Sequence, residues 1–254
     1  MRRTSSRGTG NVRYGLARVI SKLGIASRTE AARWIEAGRV SVDGRIARDP
    51  ERATALEGER ITLDGVELQV QQRVYLALNK PRGLVTSAAD EQGRATIYTL
   101  LEGASLPWLA PVGRLDKASE GLLLMTNHSM WAEAISSPAS GLDKTYHVQI
   151  DRLPDAALLA ALRAGIEDRG ERLALMSVRE LRRGSRHAWL EVVLDEGRNR
   201  QIRRVLAAFD IGVLRLVRVA IGPLQLGTLA KGAWRLLERD DVARINDRIW
   251  PNRN

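Results

Sequence analysis

The chain has 254 residues, a hydrophobic fraction of 44% and a formal net charge of +10. This length is enough to bury the core of one or two domains. No apolar run approaches the ~20 residues that cross a bilayer, and residues 1–13 lack the apolar core of a secretory signal. The absence of cysteine excludes disulfides, thiolate nucleophiles and zinc–thiolate sites. We therefore expect a cytoplasmic protein with no membrane partner.

Positive charge is concentrated near the N-terminus. Residues 1–48 hold eleven Lys and Arg and three Asp and Glu, a balance of 11 − 3 = +8, against 29 − 27 = +2 for the rest. A cationic segment joined to a nearly neutral body is typical of an arm that binds a polyanion. Residues 1–13 contain no acidic side chain and are rich in Arg, Ser, Thr and Gly, which predicts a basic flexible tail.

Residues 14–72 have the pattern of a small domain with two helices and two hairpins. Apolar residues recur at helical spacing over 16–23, and residues 27–30 (Ser-Arg-Thr-Glu) match a capping box that opens a second helix. The dipeptides Asp43-Gly44 and Asp64-Gly65 each separate two short extended runs, as in tight hairpins.

The segment 38–44 (GRVSVDG) and the helices before it resemble the small RNA-binding module called alpha-L. The resemblance implies an RNA-binding surface. The second helix presents Arg28 and Arg33, and the turn after it adds Arg39 and Arg45. Together they predict a positive face along the phosphate backbone of RNA. The alternative is a charged helix that is only solvated, because runs of charged residues commonly form solvent-exposed faces without a binding role.

Residues 73–245 form the second predicted domain, and residues 246–254 a C-terminal tail. Strands are predicted near 74–78, 122–125 and 189–195, and helices near 155–163 and 201–209. These elements interleave without a regular strand–helix–strand repeat. The pattern favours an α+β fold with a mixed, largely antiparallel sheet flanked by helices.

The stretch 113–127 (GRLDKASEGLLLMTN) places a carboxylate beside an arginine, in a glycine-bounded turn before an apolar strand. Such a turn can hold Asp116 rigidly at the edge of a cleft, although an isolated loop aspartate more commonly stabilises its own turn. The stretch resembles the catalytic motif of the pseudouridine synthases that modify ribosomal RNA. The resemblance implies that Asp116 is the essential catalytic residue.

Three further segments match the pattern of the same family in the same order. They are residues 79–83 (NKPRG), 144–146 (KTY) and 196–204 (EGRNRQIRR). Four ordered segments at compatible spacings are a specific signal. With the alpha-L module included, the resemblance covers nearly everything from residue 15 to about residue 240.

The resemblance also implies roles for other side chains. Arg203 is the candidate partner that keeps Asp116 ionised and aimed, and Tyr146 is the aromatic residue that stacks on uracil or moves a proton at carbon 5. Lys80 and Arg114 are candidate phosphate or turn-stabilising contacts. Arg204 lies on the outward side of its helix, where it would meet phosphate. A surface salt bridge for Arg203 and core packing for Tyr146 are the plain alternatives.

Pseudouridine formation breaks the bond between uracil nitrogen 1 and the ribose and rejoins the base through carbon 5. The product is an isomer, so the resemblance implies no cofactor and no metal. One ionised carboxylate is sufficient, whether it attacks the base, attacks the ribose or assists loss of a proton. The target must leave its stack, so we expect a uridine in a loop or opened helix of ribosomal RNA, in an assembly intermediate. A monomer is the simplest state.

Two other functions stay open. One is a non-catalytic RNA-binding factor for ribosome assembly, although a pure binder has no chemical reason to keep Asp116, Tyr146 and Arg203. The other is a pseudouridine synthase that acts on transfer RNA. A glycoside hydrolase is a weaker hypothesis, because it needs two facing carboxylates and only Glu120 is near Asp116 in sequence.

Overall fold

The computed structural model describes residues 12–87 and 92–251. These residues form two compact units. One comprises residues 12–74, 106–110 and 127–130, and the other comprises the remaining described residues. The predicted tail 1–13 lies outside the described residues except for its last two positions. Among the helices in the described ranges, none is long and apolar enough to cross a membrane.

The N-terminal unit contains the two helices and the two hairpins that the sequence predicts. Its elements are β1 (Arg13–Gly15), α1 (Leu16–Lys22), α2 (Arg28–Glu36), β2 (Val40–Val42), β3 (Arg45–Ile46), β4 (Ala53–Ala55), β5 (Ile61–Leu63) and β6 (Val66–Glu67). Strands β3, β2, β5 and β6 form an antiparallel sheet in that order, and β1 pairs with β4. Arg13, which we assigned to the tail, begins β1 because it pairs with Ala55 and bonds to Glu59 at 2.6 Å.

Local signals account for these elements. The Ser27 hydroxyl accepts a hydrogen bond from the backbone N–H of Glu30 at 3.0 Å, which caps α2. Asp43 has a φ of 50°, and with Gly44 it forms the left-handed turn between β2 and β3. The apolar face of α1 packs with Ile35 of α2 and Val40 of β2 in one buried cluster, which supplies the core of this unit.

The chain continues with a longer series of strands and four more helices. They are β7 (Tyr75–Lys80), β8 (Ala110–Val112), β9 (Glu120–Thr126), α3 (Ser129–Ser136), β10 (Lys144–Ile150), α4 (Ala156–Ala164), β11 (Ile166–Asp168), β12 (Glu171–Leu173), β13 (Ser177–Arg183), β14 (Ala188–Leu194), α5 (Gln201–Ala207), β15 (Val213–Ile221), β16 (Leu224–Gln225), β17 (Trp234–Leu236) and α6 (Arg239–Ile249). The main sheet has the strand order β13-β14-β10-β15-β9-β7-β17. Every neighbouring pair in this order is antiparallel except β9 with β15. The predicted mixed, largely antiparallel sheet is therefore confirmed.

The parallel pairing of β9 with β15 depends on one glycine. Gly121 pairs with Arg218 and has a φ of 102°. A Cβ at this position would lie 2.2 Å from the carbonyl oxygen of Arg218, so no other residue fits without moving a backbone. The close approach brings the turn before β9 beside β15.

The C-terminal helix corrects our assignment of a tail from residue 246. Helix α6 runs through Ile249, and Trp131 donates from its indole to the Asn246 side chain at 3.0 Å. Ile245 is fully buried, and Ile249 and Trp250 pack against the same apolar cluster. Residues 246–250 are thus part of the packed domain, while residues 252–254 lie outside the described residues.

Candidate active site

A cavity of about 500 Å³ opens on one face of the main sheet, and its walls contain the three predicted catalytic residues. Asp116 comes from the turn before β9, Tyr146 from β10 and Arg203 from α5. The lining cations are Arg114, Lys144, Arg198, Arg200, Arg203 and Arg218, and the lining acids are Asp116 and Glu196. A balance of 6 − 2 = +4 makes the cavity suited to an anionic substrate.

The turn that carries Asp116 is held by the last residue of β7 and by the segment that follows it. The Lys80 ammonium donates to the carbonyl oxygens of Pro81, Asp116 and Ser119, at 3.1, 3.2 and 3.0 Å. Gly83 donates its backbone N–H to Lys117 at 2.7 Å. Two of the four sequence motifs, 79–83 and 113–127, therefore pack directly on one another.

Lys80 is not an RNA contact, contrary to one of the two roles we predicted. Its side chain is fully buried, and its three donors are taken by backbone carbonyls. Burial lowers the pKa of Lys80 to about 8, and the nearby charges of Asp116 and Glu120 oppose that shift. The alternative role, stabilising the turn, is the one that the structure supports.

The ion pair of Asp116 is with Arg200 and not with Arg203. The Arg200 guanidinium lies 3.5 Å from the Asp116 carboxylate, whose side chain is 37% exposed. Arg200 precedes α5 with a φ of 50°, a strained conformation for an arginine that aims its side chain differently from the helical residues after it. Sequence analysis missed Arg200, and its place in the 196–204 motif was the signal that could have found it.

Arg203 supports the same turn from another direction. Its Nη2 donates to the carbonyl oxygen of Ala118 at 3.2 Å, two residues from Asp116. Its Nε is buried and has no hydrogen-bond partner within the described ranges. Burial lowers the pKa of Arg203, and the neighbouring charge of Arg200 lowers it further. A buried donor without an acceptor is costly, and a bound ligand could satisfy it.

The floor of the cavity is formed by β10 and β15. Tyr146 is buried with 9% of its surface exposed and pairs across the strands with Arg218. Arg218 donates from Nε to the carbonyl oxygen of Leu122 at 2.7 Å, but its Nη2 is buried without an acceptor in the part of the chain that is described. Burial and the charge of Arg218 lower the pKa of Lys144. The residue paired with Tyr146 across the strands, Arg218, therefore has one donor unused.

Arg114 is exposed at the cavity wall, whereas Arg204 pairs with carboxylates of a neighbouring hairpin. Arg204 donates to the Asp168 carboxylate at 2.5 Å, to its carbonyl at 3.1 Å and to Glu171 at 2.8 Å. Two carboxylates neutralise it and tie α5 to the β11–β12 hairpin. A phosphate contact of Arg204, as we predicted, would have to form in competition with these two ion pairs.

Glu120 is not a second carboxylate facing Asp116. Its side chain is 4% exposed and pairs with Arg215 at 3.0 Å and with Lys231. Burial alone would raise the pKa of Glu120, but hydrogen bonds from the two cations outweigh it and hold that pKa below its usual range. The pair of facing carboxylates that a glycoside hydrolase needs is therefore not made by Glu120 and Asp116.

The four arginines predicted to bind RNA in the N-terminal unit fall into two groups. Arg28 and Arg45 are exposed, and no carboxylate of the described residues lies within ion-pair distance of them. Arg33 lies 3.6 Å from Glu30, and Arg39 makes hydrogen bonds of 2.5 and 3.1 Å to Asp64. Only the first group has no carboxylate partner among the described residues.

Comparison with known proteins gives matches over both units. A family model described as RNA pseudouridylate synthase matches residues 74–208, and one described as S4 domain matches residues 15–53. An uncharacterized RNA pseudouridine synthase of Aquifex aeolicus is 35% identical, over 89% of this chain and 91% of that protein. The ribosomal large subunit pseudouridine synthase B of Bacillus subtilis is 32% identical, over 91% and 94%. A crystal structure of a pseudouridylate synthase aligns with a TM-score of 0.64 at 28% identity, over 92% and 99%.

Proposed function

Because the chain belongs to the family of RNA pseudouridine synthases, we propose that it converts a uridine of ribosomal RNA to pseudouridine with Asp116 as the catalytic carboxylate. The name of the Bacillus subtilis relative supports ribosomal RNA as the substrate, in preference to transfer RNA. One observation carries the proposed role of Asp116. This carboxylate is part-exposed in a cationic cavity whose walls also contain Tyr146 and Arg203.

The reaction needs little more than such a carboxylate. The bond from nitrogen 1 of uracil to the ribose breaks, a bond from carbon 5 to the ribose forms, carbon 5 loses a proton and nitrogen 1 gains one. Asp116 can serve by attacking the base, by attacking the ribose or by assisting loss of a proton, and each role requires its charged form. The Arg200 guanidinium, 3.5 Å from the carboxylate, is placed to orient it towards the substrate.

The other walls of the cavity have complementary roles in this proposal. Tyr146 stacks on the extruded uracil, and its hydroxyl is available for proton transfer at carbon 5. The unused donors of Arg203 and Arg218 bind oxygens of the substrate, either phosphate or uracil carbonyl. Arg114 extends the cationic wall towards the flanking phosphates. The site thus recognises an anionic, flipped nucleotide.

The N-terminal unit supplies affinity in this proposal. Arg28 and Arg45 are exposed and uncompensated among the described residues, so they can contact phosphates without first breaking an ion pair. Phosphate contacts place RNA without reading its bases. The choice of uridine then depends on the shape of the RNA near the cavity.

The variant Asp116→Asn tests this function. It keeps the size of the side chain and removes its charge, so we expect the single-turnover rate of pseudouridine formation on ribosomal RNA precursors to fall by about 10³-fold or more. RNA affinity should stay within a few-fold of wild type. The matched control is Asp247→Asn, the same change at an exposed position of α6, which should leave the rate unchanged.

Three outcomes would contradict the proposal. Full activity of Asp116→Asn would remove the catalytic role of Asp116. Pseudouridine formed only in transfer RNA would remove the ribosomal substrate. RNA binding without any isomerisation by the wild-type protein would leave only the role of an assembly factor.

A further inference from the structure

The face of the main sheet opposite the cavity carries a row of cationic, polar and aromatic side chains. Successive residues of a strand point to opposite faces, so Gln149 lies on the other face from Tyr146. In the register of the sheet, Gln149 pairs with Trp189 of β14 and with Arg215 of β15, and Trp189 pairs with Arg182 of β13. These four residues, the arginine–tryptophan row, cross four neighbouring strands.

The row is held together by contacts with the indole ring. The Arg182 guanidinium lies 4.7 Å from the ring centre of Trp189, and that of Arg215 lies 5.5 Å from it. A cavity of about 300 Å³ lies beside the row and is lined by Trp189, Gln149, Arg182 and the turn between β13 and β14. Such contacts keep the planar groups ordered before any ligand arrives.

The turn beside the row adds charge that is not neutralised. Residues 181–190 contain three arginines and one histidine but no acidic residue. Arg183 pairs with Glu180 at 2.7 Å, and Arg215 pairs with Glu120. Arg182 and Arg186 are exposed and have no carboxylate within ion-pair distance in the described ranges. Two uncompensated cations therefore flank an aromatic platform.

We propose that the arginine–tryptophan row and Arg186 bind a single-stranded segment of RNA outside the catalytic cavity. Bases stack on aromatic rings and on guanidinium planes, and the exposed arginines match the charge of the phosphates. In a duplex the bases are stacked on one another. A duplex would therefore contact the arginines but would not stack on the Trp189 ring. The inference rests on the proposed RNA substrate, and it adds a binding site on the opposite face of the sheet from Asp116.

The test is fluorescence anisotropy of the full chain with a labelled 20-nucleotide oligouridine and with a 20-base-pair RNA duplex. The double variant Arg182→Glu, Arg186→Glu should bind oligouridine about tenfold more weakly than wild type. Trp189→Ala should weaken it by a similar factor while changing duplex binding less than twofold. The matched control Arg239→Glu, Arg248→Glu makes the same charge change at exposed positions of α6 and should stay within about twofold of wild type.

The results can overturn the inference in three ways. The two double variants could bind oligouridine equally well. Trp189→Ala could weaken the duplex as much as the single strand, which would make the surface a general phosphate contact. A 20-residue oligoglutamate could bind wild type more tightly than oligouridine does and lose that binding in Arg182→Glu, Arg186→Glu, which would assign the surface to an acidic protein. Because the assay measures binding alone, it gives a result even if no ribosomal uridine is modified.

Discussion

Arginines of the N-terminal unit and arginines of the cavity occupy opposite environments. Arg39 lies at the surface in a pair with Asp64, whereas Arg218 is buried and leaves Nη2 without an acceptor in the described part of the chain. A surface pair adds little to stability and is screened by salt. A buried donor without a partner costs stability, and its retention is explained when a ligand completes it. We therefore expect the surface arginines to determine the affinity for RNA and the cavity arginines to determine the rate of the reaction.

The largest effect that would test this division is expected at Arg203. Arg203→Met removes one support of the Asp116 turn and the unused Nε donor, so the single-turnover rate should fall by about 10²-fold, with RNA affinity within a few-fold of wild type. Arg203→Lys keeps the charge but loses the planar fork, so it should recover only part of the rate. Lost affinity with an unchanged rate would place Arg203 with the surface cations.

The variant Lys80→Met tests the hydrogen bonds by which Lys80 holds the turn that carries Asp116. Three carbonyls, at least partly buried, lose their donor, so we expect a free energy of unfolding lower by about 2–4 kcal/mol and a rate lower by about tenfold. Thermal unfolding and single-turnover rates measure the two effects. An unchanged rate in a folded Lys80→Met protein would show that the turn keeps Asp116 in place without the lysine.

The lowered pKa of Lys80 gives that residue a pH signature. Below its pKa of about 8 the ammonium has three donors for three carbonyls, and above it the neutral amine has two, so one carbonyl loses its bond. The wild-type rate should therefore fall as pH rises through about 8, and this inflection should be missing in Lys80→Met. An inflection that persists in the variant belongs to another group.

In the N-terminal unit we expect an effect on affinity alone. Arg28→Ala with Arg45→Ala removes two uncompensated cations, so RNA affinity should fall by about tenfold and the salt slope of log Kd by about 1.4, at an unchanged single-turnover rate. The control Arg39→Ala with Asp64→Ala removes a neutral pair and should leave affinity nearly unchanged. A changed rate would contradict the division between affinity and catalysis.

The sequence predicted best what short-range contacts decide. Ser27 caps α2 from three residues away, and Asp43-Gly44 sets a hairpin by its own backbone preference. The parallel pairing of Gly121 with Arg218 joins residues far apart in the chain and leaves no local pattern. Helix α6 is highly charged, so its sequence does not indicate burial. Its packing depends on Trp131, which is distant in the chain and lies beside the helix only in the folded structure. The tail was assigned wrongly for that reason.

The same distinction holds for the site. Ordered motifs were enough to predict that Asp116, Tyr146 and Arg203 meet in one place, and all three line one cavity. The burial of Lys80 depends on carbonyls 36 and 39 residues later in the chain. The neutralisation of Arg204 depends on Asp168 and Glu171, which lie on a separate hairpin. Neither set of partners can be read from the residues next to the cation.

The strand pairing made possible by Gly121 has a consequence for chains that have not finished folding. Asp116 precedes β9, on one side of the β9–β15 pairing. Tyr146 of β10 lies on the other side, as do Arg200 and Arg203, which belong to the connection from β14 to β15. Neither half holds a complete set of reacting groups. If the proposed function holds, we expect a chain that has not yet formed this pairing to have no complete site and to leave uridines unmodified.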